Sequence, residues 1–235
     1  MKIGAFIQAR MGSKRLPGKT LHKVLGKPLL QYLMERLSKA EGLDGIVVAT
    51  SDAEADSQIA AFCTKTGIPF FRGSLSDVAG RMTVALGAHP FDAFVRVNGD
   101  SPLLDQRLVD HGVRLFRQGT FDLVTNVHPR TYPKGESVEI IKSSTFCDAY
   151  AEMTAKEDLE HVTSYFYRNE NRFCICNFES KEPCPDIQLS VDTPEDMALF
   201  SAIVSRMTRP HWEYTFEEIL DIRRLLKAED GRVRP

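Results

Sequence analysis

No apolar run in the 235-residue chain approaches the roughly 18 residues of a membrane span, and no long apolar stretch precedes its first strand-like segment as in a secretory signal. The expectation is a cytoplasmic protein whose partners are small molecules, with neither nucleic acid nor a membrane among them. A disulfide framework is missing too. The five cysteines are odd in number and scattered (Cys63, Cys147, Cys174, Cys176, Cys184), which suits reduced thiols. Charge of one sign is not in excess, since the formal net charge is only -2. One local absence is more telling: residues 10–27 contain no acid, yet they hold six cations (Arg10, Lys14, Arg15, Lys19, Lys23 and Lys27).

This cationic stretch directly follows an apolar run, Ile3 to Ile7, that reads as a first β-strand. Gly12 and Gly18 free the backbone to turn and to aim N–H groups at an anion, while the Arg and Lys side chains neutralise phosphate oxygens. A P-loop would need Gly, four residues, then Gly-Lys-Ser/Thr. Gly18-Lys19-Thr20 fits the end of that pattern, but Ser13 stands where its first glycine belongs, and Pro17 removes an N–H from the cradle. The remaining alternative is a solvated basic loop with no ligand, in which crowded like charges have no counter-anion.

With 43% hydrophobic and 26% charged residues, the composition is that of a globular chain with a sizeable core. Apolar runs alternate with helix-period segments: strands at 2–8, 45–49, 69–71 and 93–97, and helices at 28–40, 53–66, 77–88 and 105–117. The βαβ rhythm predicts an α/β fold, with a mostly parallel mixed sheet between two helical layers. Beyond a strand at 123–125 the rhythm changes. Residues 126–170 read as an insertion, with a strand at 138–142 and two helical segments, inside a single domain spanning 1–235. Strands at 173–178 and 187–191 and helices at 193–207 and 215–227 complete the reading. Phe146, Tyr150, Tyr165, Phe166 and Tyr167 suggest a dimer surface in the insertion, or else ordinary core.

In open α/β sheets ligands sit beyond the carboxyl ends of the strands, so the loops there carry the chemistry. Two apolar strands end in an aspartate, Asp100 and Asp192. A triphosphate beside the cationic loop would call for a hard divalent ion, and Mg²⁺ typically takes one or two protein carboxylates, with phosphate and water completing its shell. Asp192-Thr193-Pro194-Glu195 also reads as a helix start, so Asp192 is equally an N-cap candidate. Gly99 suggests a close backbone approach to a ligand. Cys174, Cys176 and Cys184 lack the Cys-x-x-Cys and His spacing of a zinc site and read more simply as a small-residue patch.

Ile7 to Lys19, Val48-Ala49-Thr50-Ser51-Asp52, Phe71-Arg72-Gly73-Ser74, Asn98-Gly99-Asp100-Ser101-Pro102, Glu160-His161-Val162-Thr163 and Val191-Asp192-Thr193-Pro194 occur in one order along the chain. Together they resemble the cytidylyltransferase family of CMP-Kdo synthetase, most closely its branch named for spore coat polysaccharide biosynthesis protein F. The resemblance runs to about Phe200. It implies a nucleotide-diphospho-sugar transferase fold (GT-A, Rossmann-like), a homodimer, and transfer of a nucleoside monophosphate to a sugar with release of pyrophosphate.

Carried over by matching residues, it implies Arg10, Arg15 and Lys19 on the triphosphate of CTP, with Asp100 and Asp192 holding Mg²⁺. Ala9, Gly12, Asp52, Arg72 and Asn98 would complete the nucleotide site. Asn98 replaces the Gln or Thr usual before Gly-Asp. Tyr132, Lys134, Glu139 and His161 would meet the acceptor, but Lys134 and Ser137 replace two acids of the family's Tyr-Pro-Asp-Gly-Leu-Asp-Val-Glu pattern. For His161 a packing role is the simpler alternative. An acidic sugar of the ulosonate or nonulosonate type is the acceptor the family suggests. A sugar 1-phosphate, a phosphonate, another nucleotide, or binding without turnover are the alternatives.

Overall fold

The computed structural model describes the backbone of residues 1–232 and the side chains of residues 1–229. Its first half runs β1 (Ile3–Gln8), β2 (Lys23–Val24), β3 (Lys27–Pro28), α1 (Leu29–Leu37), β4 (Gly45–Ser51), α2 (Ser57–Thr66), β5 (Phe70–Gly73), α3 (Val78–Ala88), β6 (Ala93–Asn98) and α4 (Gln106–Gln118). The second half adds β7 (Leu123–Thr125), β8 (Glu139–Lys142), α5 (Ser143–Tyr150), α6 (Lys156–His161), α7 (Ser164–Arg168), β9 (Ile175–Asn177), α8 (Pro194–Ser205) and α9 (Phe216–Arg232).

Seven strands form one sheet in the order β5-β4-β1-β6-β8-β7-β9. β1 pairs in parallel with β4 and β6, β4 with β5, and β7 with β9, whereas β8 runs antiparallel to both its neighbours. β8 alone therefore opposes the rest. Helices cover both faces, so the central strands are buried on both sides and read as nearly continuous apolar runs. The strand period of two then sorts their side chains. Ile3, Ala5 and Ile7 of β1 enter one core with Leu33 of α1, Val109 of α4, Phe200 of α8 and Ile219 of α9; Phe6 and Phe94 enter the other with Met82 of α3, Phe146 of α5 and Phe166 of α7.

The middle section is less separate than its composition suggests. β8 lies within the sheet between β6 and β7, and three short helices, not two, follow it. Phe146, Tyr165 and Phe166 are buried, and the partly buried Tyr150 and Tyr167 pack against them, so these aromatics take part in the second core. Residues 187–191 are not a strand. Their backbone is held by single residues: Gln188 bridges Lys134, Leu189 N donates to the Lys134 carbonyl at 2.7 Å, and Val191 N to the Asp100 carbonyl at 2.8 Å. Ile187, Leu189 and Ser190 all bond the one residue Lys134 before Val191 turns to Asp100, so the pairing stays an isolated bridge and no ladder propagates. Among the described residues, no helix is long and apolar enough to cross a membrane.

Candidate active site

At the carboxyl ends of β1 and β6 lies a cavity of about 550 Å³. The loop after β1 supplies one wall, through Ala9, Arg10, Gly12, Ser13, Lys14, Arg15 and Lys19. Arg96 and Asn98 of β6 and the following Asp100 supply the floor, and Asp192 closes one end. Val78 and Arg81 come from the start of α3, Leu75 from the loop before it, and Glu160 and His161 from α6.

The basic loop is shaped by its own backbone and by one distant acid. Gly18 sits in the left-handed region (φ 73°), which a side chain would strain, and its N–H donates to the Met11 carbonyl at 3.0 Å. Thr20 Oγ1 donates to the Arg10 carbonyl at 2.9 Å. Met11 N donates to Asp56 Oδ1 at 2.6 Å, and Ser51 Oγ to Asp56 Oδ2. Asp56 is buried and fastens the loop to the end of β4. Its only sequence signal was that of an ordinary first-turn helix acid.

Lys19, Asp100 and Asp192 form the centre. The Lys19 ammonium donates to Asp100 Oδ2 at 2.9 Å, to Asp192 Oδ1 at 2.9 Å and to the Val191 carbonyl at 2.7 Å. Arg15 reaches the same Asp192 oxygen at 3.0 Å. Burial alone would push the Asp192 carboxyl up, but the hydrogen bond and charge of Lys19, with Arg15 and Gln188, hold it below the usual range. Helix capping does not occupy Asp192. Thr193 is the N-cap of α8, accepting from Asp196 N, while the Asp196 carboxylate accepts from Thr193 N at 2.9 Å and Asp192 N at 3.0 Å. Two carboxylates converging on one cation are hard oxygen donors in the number magnesium takes from a protein, so the residues present fit that ion.

Gly99 also lines the cavity, and a Cβ there would meet the Gln8 carbonyl oxygen at 2.9 Å, so the glycine lets β6 end close against β1 at the cavity's edge.

Arg72 and Asp52 stand outside the cavity lining. Arg72 donates from Nε to the Ser51 carbonyl at 3.0 Å and from Nη2 to the Ala53 carbonyl at 2.9 Å, so it braces the loop after β4. Arg81, which in sequence stands just beyond Arg72-Gly73-Ser74 and to which no site role was given, lines the cavity instead. It is buried, gives Nη1 to the Ser74 carbonyl at 2.9 Å and has no partner for Nε. Its signal was faint, a cation one turn into an apolar helix.

The four acceptor candidates separate. His161 lines the cavity, at a turn where the buried Val162 has φ 58° and ψ −64° and Thr163 N donates back to the His161 carbonyl. Glu139 lies behind the lining, accepting from Arg96 Nη1 at 2.7 Å and from Tyr167 OH at 2.6 Å. Burial, then the Glu139 charge, push the Tyr167 phenol far up, so it stays a donor. Tyr132 faces a separate cavity of about 720 Å³ with Phe216 and Leu220. Lys134 is exposed and lines neither.

The family model described as Cytidylyltransferase matches residues 5–229. The spore coat polysaccharide biosynthesis protein SpsF of Bacillus subtilis is 32% identical over 210 residues, covering 85% of each chain. A cytidylyltransferase structure from Leptospira borgpetersenii superposes with a TM-score of 0.89 at 29% identity, covering 98% of this chain and 96% of that one. The structure of CMP:2-keto-3-deoxy-manno-octonic acid synthetase complexed with CTP shares the fold, with a TM-score of 0.67 at 20% identity over 88% of this chain and 99% of that one. With a match this long, and with both aspartates and the basic loop gathered around one cavity at the strand ends, the chain belongs to the cytidylyltransferase family.

Proposed function

We propose that the protein transfers the cytidylyl group of CTP to a hydroxyl of an acidic sugar of the ulosonate or nonulosonate type, releasing pyrophosphate. The observation that carries this reading is the pairing of Asp100 and Asp192 beside the basic loop, at one end of a cavity large enough for a nucleotide and a sugar. The printed names of a polysaccharide biosynthesis relative and of a sugar-acid synthetase complexed with CTP support the choice of acceptor class.

The hydroxyl oxygen would form a bond to the α-phosphorus as the bond from that phosphorus to the pyrophosphate oxygen breaks, and the hydroxyl proton passes to solvent. Arg10 and Arg15 hold the negative charge that builds on the leaving pyrophosphate. Asn98, Arg81, Leu75 and Val78 leave the far end of the cavity for the nucleobase, and Lys14 and His161 give the acceptor carboxylate polar partners. Magnesium on Asp100 and Asp192 would neutralise the α-phosphate and acidify the attacking hydroxyl. Catalysis is then positioning and charge stabilisation, with no protein nucleophile.

The test is incubation with CTP, Mg²⁺ and a panel of sugar acids, followed by pyrophosphate assay and product mass. The expected product carries one phosphate between cytidine and the sugar acid. A product with two phosphates, formed only with sugar 1-phosphates, overturns the acceptor class, and nucleotide binding without pyrophosphate release under any acceptor overturns the reaction. Asp100→Asn is expected to lower turnover on the order of 10² to 10³, the scale of one lost preorganised electrostatic contact.

A further inference from the structure

We infer that the Lys19 ammonium is a resident counter-cation between Asp100 and Asp192, which a divalent metal must displace, so that metal binding is coupled to arrival of the triphosphate that receives the released lysine. The inference rests on the reading of this cavity as a metal–nucleotide site.

An ammonium has three N–H donors, and those of Lys19 are all spent, on two carboxylates and one carbonyl. No donor remains for a phosphate. The Lys19 side chain is only 9% exposed, and its carbonyl acceptor, Val191, is itself tied to Asp100 through Val191 N and the Asp100 carbonyl at 2.8 Å. The two acids and the lysine thus form one closed unit. Without a cation between them the two carboxylates would repel each other, and lysine removes that repulsion.

The same position cannot hold lysine and metal together. A magnesium ion bonds carboxylate oxygen at about 2.0–2.1 Å, and an ammonium 2.9 Å from the same oxygens would face its double charge at close range. Metal entering alone leaves a buried ammonium without its two carboxylate partners, which costs free energy. Metal entering with a triphosphate gives that ammonium phosphate oxygens in exchange. The swing needs no backbone movement, because Thr20 Oγ1 and Gly18 N fix the loop and only the side-chain torsions of Lys19 have to change. Arg15, whose side chain is 65% exposed, can leave Asp192 at little cost.

The test uses Mn²⁺ as the probe and omits nucleotide and acceptor. Free Mn²⁺ is read by electron paramagnetic resonance during titration of the wild type and of Lys19→Met. The expected result is Mn²⁺ binding tighter in the variant by a factor of about 5 to 150, the span of ordinary coupling energies. CTP should then tighten Mn²⁺ binding more in the wild type than in the variant. Equal or weaker Mn²⁺ binding by a folded Lys19→Met protein overturns the inference. Should that variant not fold, the wild type labelled with ¹⁵N-lysine decides. Its Lys19 ammonium resonance is expected to move or broaden on saturation with Mg²⁺, and an unmoved resonance overturns the inference. Neither measurement requires turnover. Lys19 displacement without any pyrophosphate release would therefore sink the reaction alone, and turnover without displacement would sink this inference alone.

Discussion

The Asp56 carboxylate joins two segments that no local pattern connects, the start of the basic loop at Met11 and the end of β4 at Ser51. Asp56→Ala leaves the Met11 N–H and the Ser51 O–H without an acceptor in a partly to fully buried setting, at about 1–3 kcal/mol each where water cannot reach. The variant is expected to lose about 2–5 kcal/mol in urea unfolding and to bind CTP more weakly. Asp56→Asn keeps one oxygen for Met11 N and should lose clearly less; equal losses in the two would show that the loop does not depend on this anchor. At this scale the sequence was legible where charge and strand end coincide. Arg10 and Asp100 stand two residues past β1 and β6, and Arg15, Lys19 and Asp192 lie on loops that run over the same strand ends, so all five line the cavity. Arg72 and Arg81 were not distinguishable in this way. Which of two nearby arginines reaches a cavity is decided by which carbonyls intercept the guanidinium, and Ser51 and Ala53 intercept Arg72.

Among the elements, the βαβ half was readable because its periods are local, whereas β8 was not placeable. Its four residues pair with β6 and β7, and nothing within a few residues of a strand names a partner dozens of positions away. The same limit applies to residues 187–191, apolar enough for a strand yet lacking a continuous neighbour. Also hidden was the turn after α6, where the fully buried, β-branched Val162 takes φ 58° and swings His161 toward the cavity. Such a conformation costs about 1–3 kcal/mol, while shortening a buried valine costs on the order of 1–3 kcal/mol in lost packing. Val162→Ala keeps the strain and loses packing; Val162→Gly loses slightly more packing but sheds the strain. The glycine variant is therefore expected to match or exceed the alanine variant in thermal stability, the reverse of the usual order. Its freer turn should raise the KM for the sugar acceptor. An alanine variant more stable than the glycine one by over about 1 kcal/mol would show that the turn stores no strain.

Across the whole molecule, the long reach is from α1 to the segment before α9. Arg36 is fully buried and donates to the carbonyls of Leu104, His211 and Tyr214, joining the helix after the basic loop to the loop beyond β6 and to the C-terminal region. Beside it, His211 Nε2 lies 2.8 Å from Glu35 Oε2, while His211 Nδ1 is buried with no partner. A protonated ring would carry an N–H with no acceptor there. Burial lowers the His211 pKa to about 4, outweighing the Glu35 hydrogen bond that favours the charged form. The unfolded chain titrates this ring near 6.5, so between that value and about 4 the unfolded state binds more protons and stability falls as the pH drops. The loss is on the order of 3 kcal/mol, complete only below the folded value and absent above pH 6.5. Glu136 works the other way, because full burial raises its carboxyl and makes the folded state the better proton binder. The wild-type curve alone therefore mixes the two. His211→Gln, which retains an N–H for Glu35 but does not titrate, removes the histidine contribution and leaves Glu136 in place. Urea unfolding from pH 7 to pH 4 is expected to show the wild type losing about 3 kcal/mol more than this variant. Parallel curves would mean that the ring is protonated in the folded protein, and that the seam joining α1 to the C-terminal region is not what makes the protein sensitive to acid.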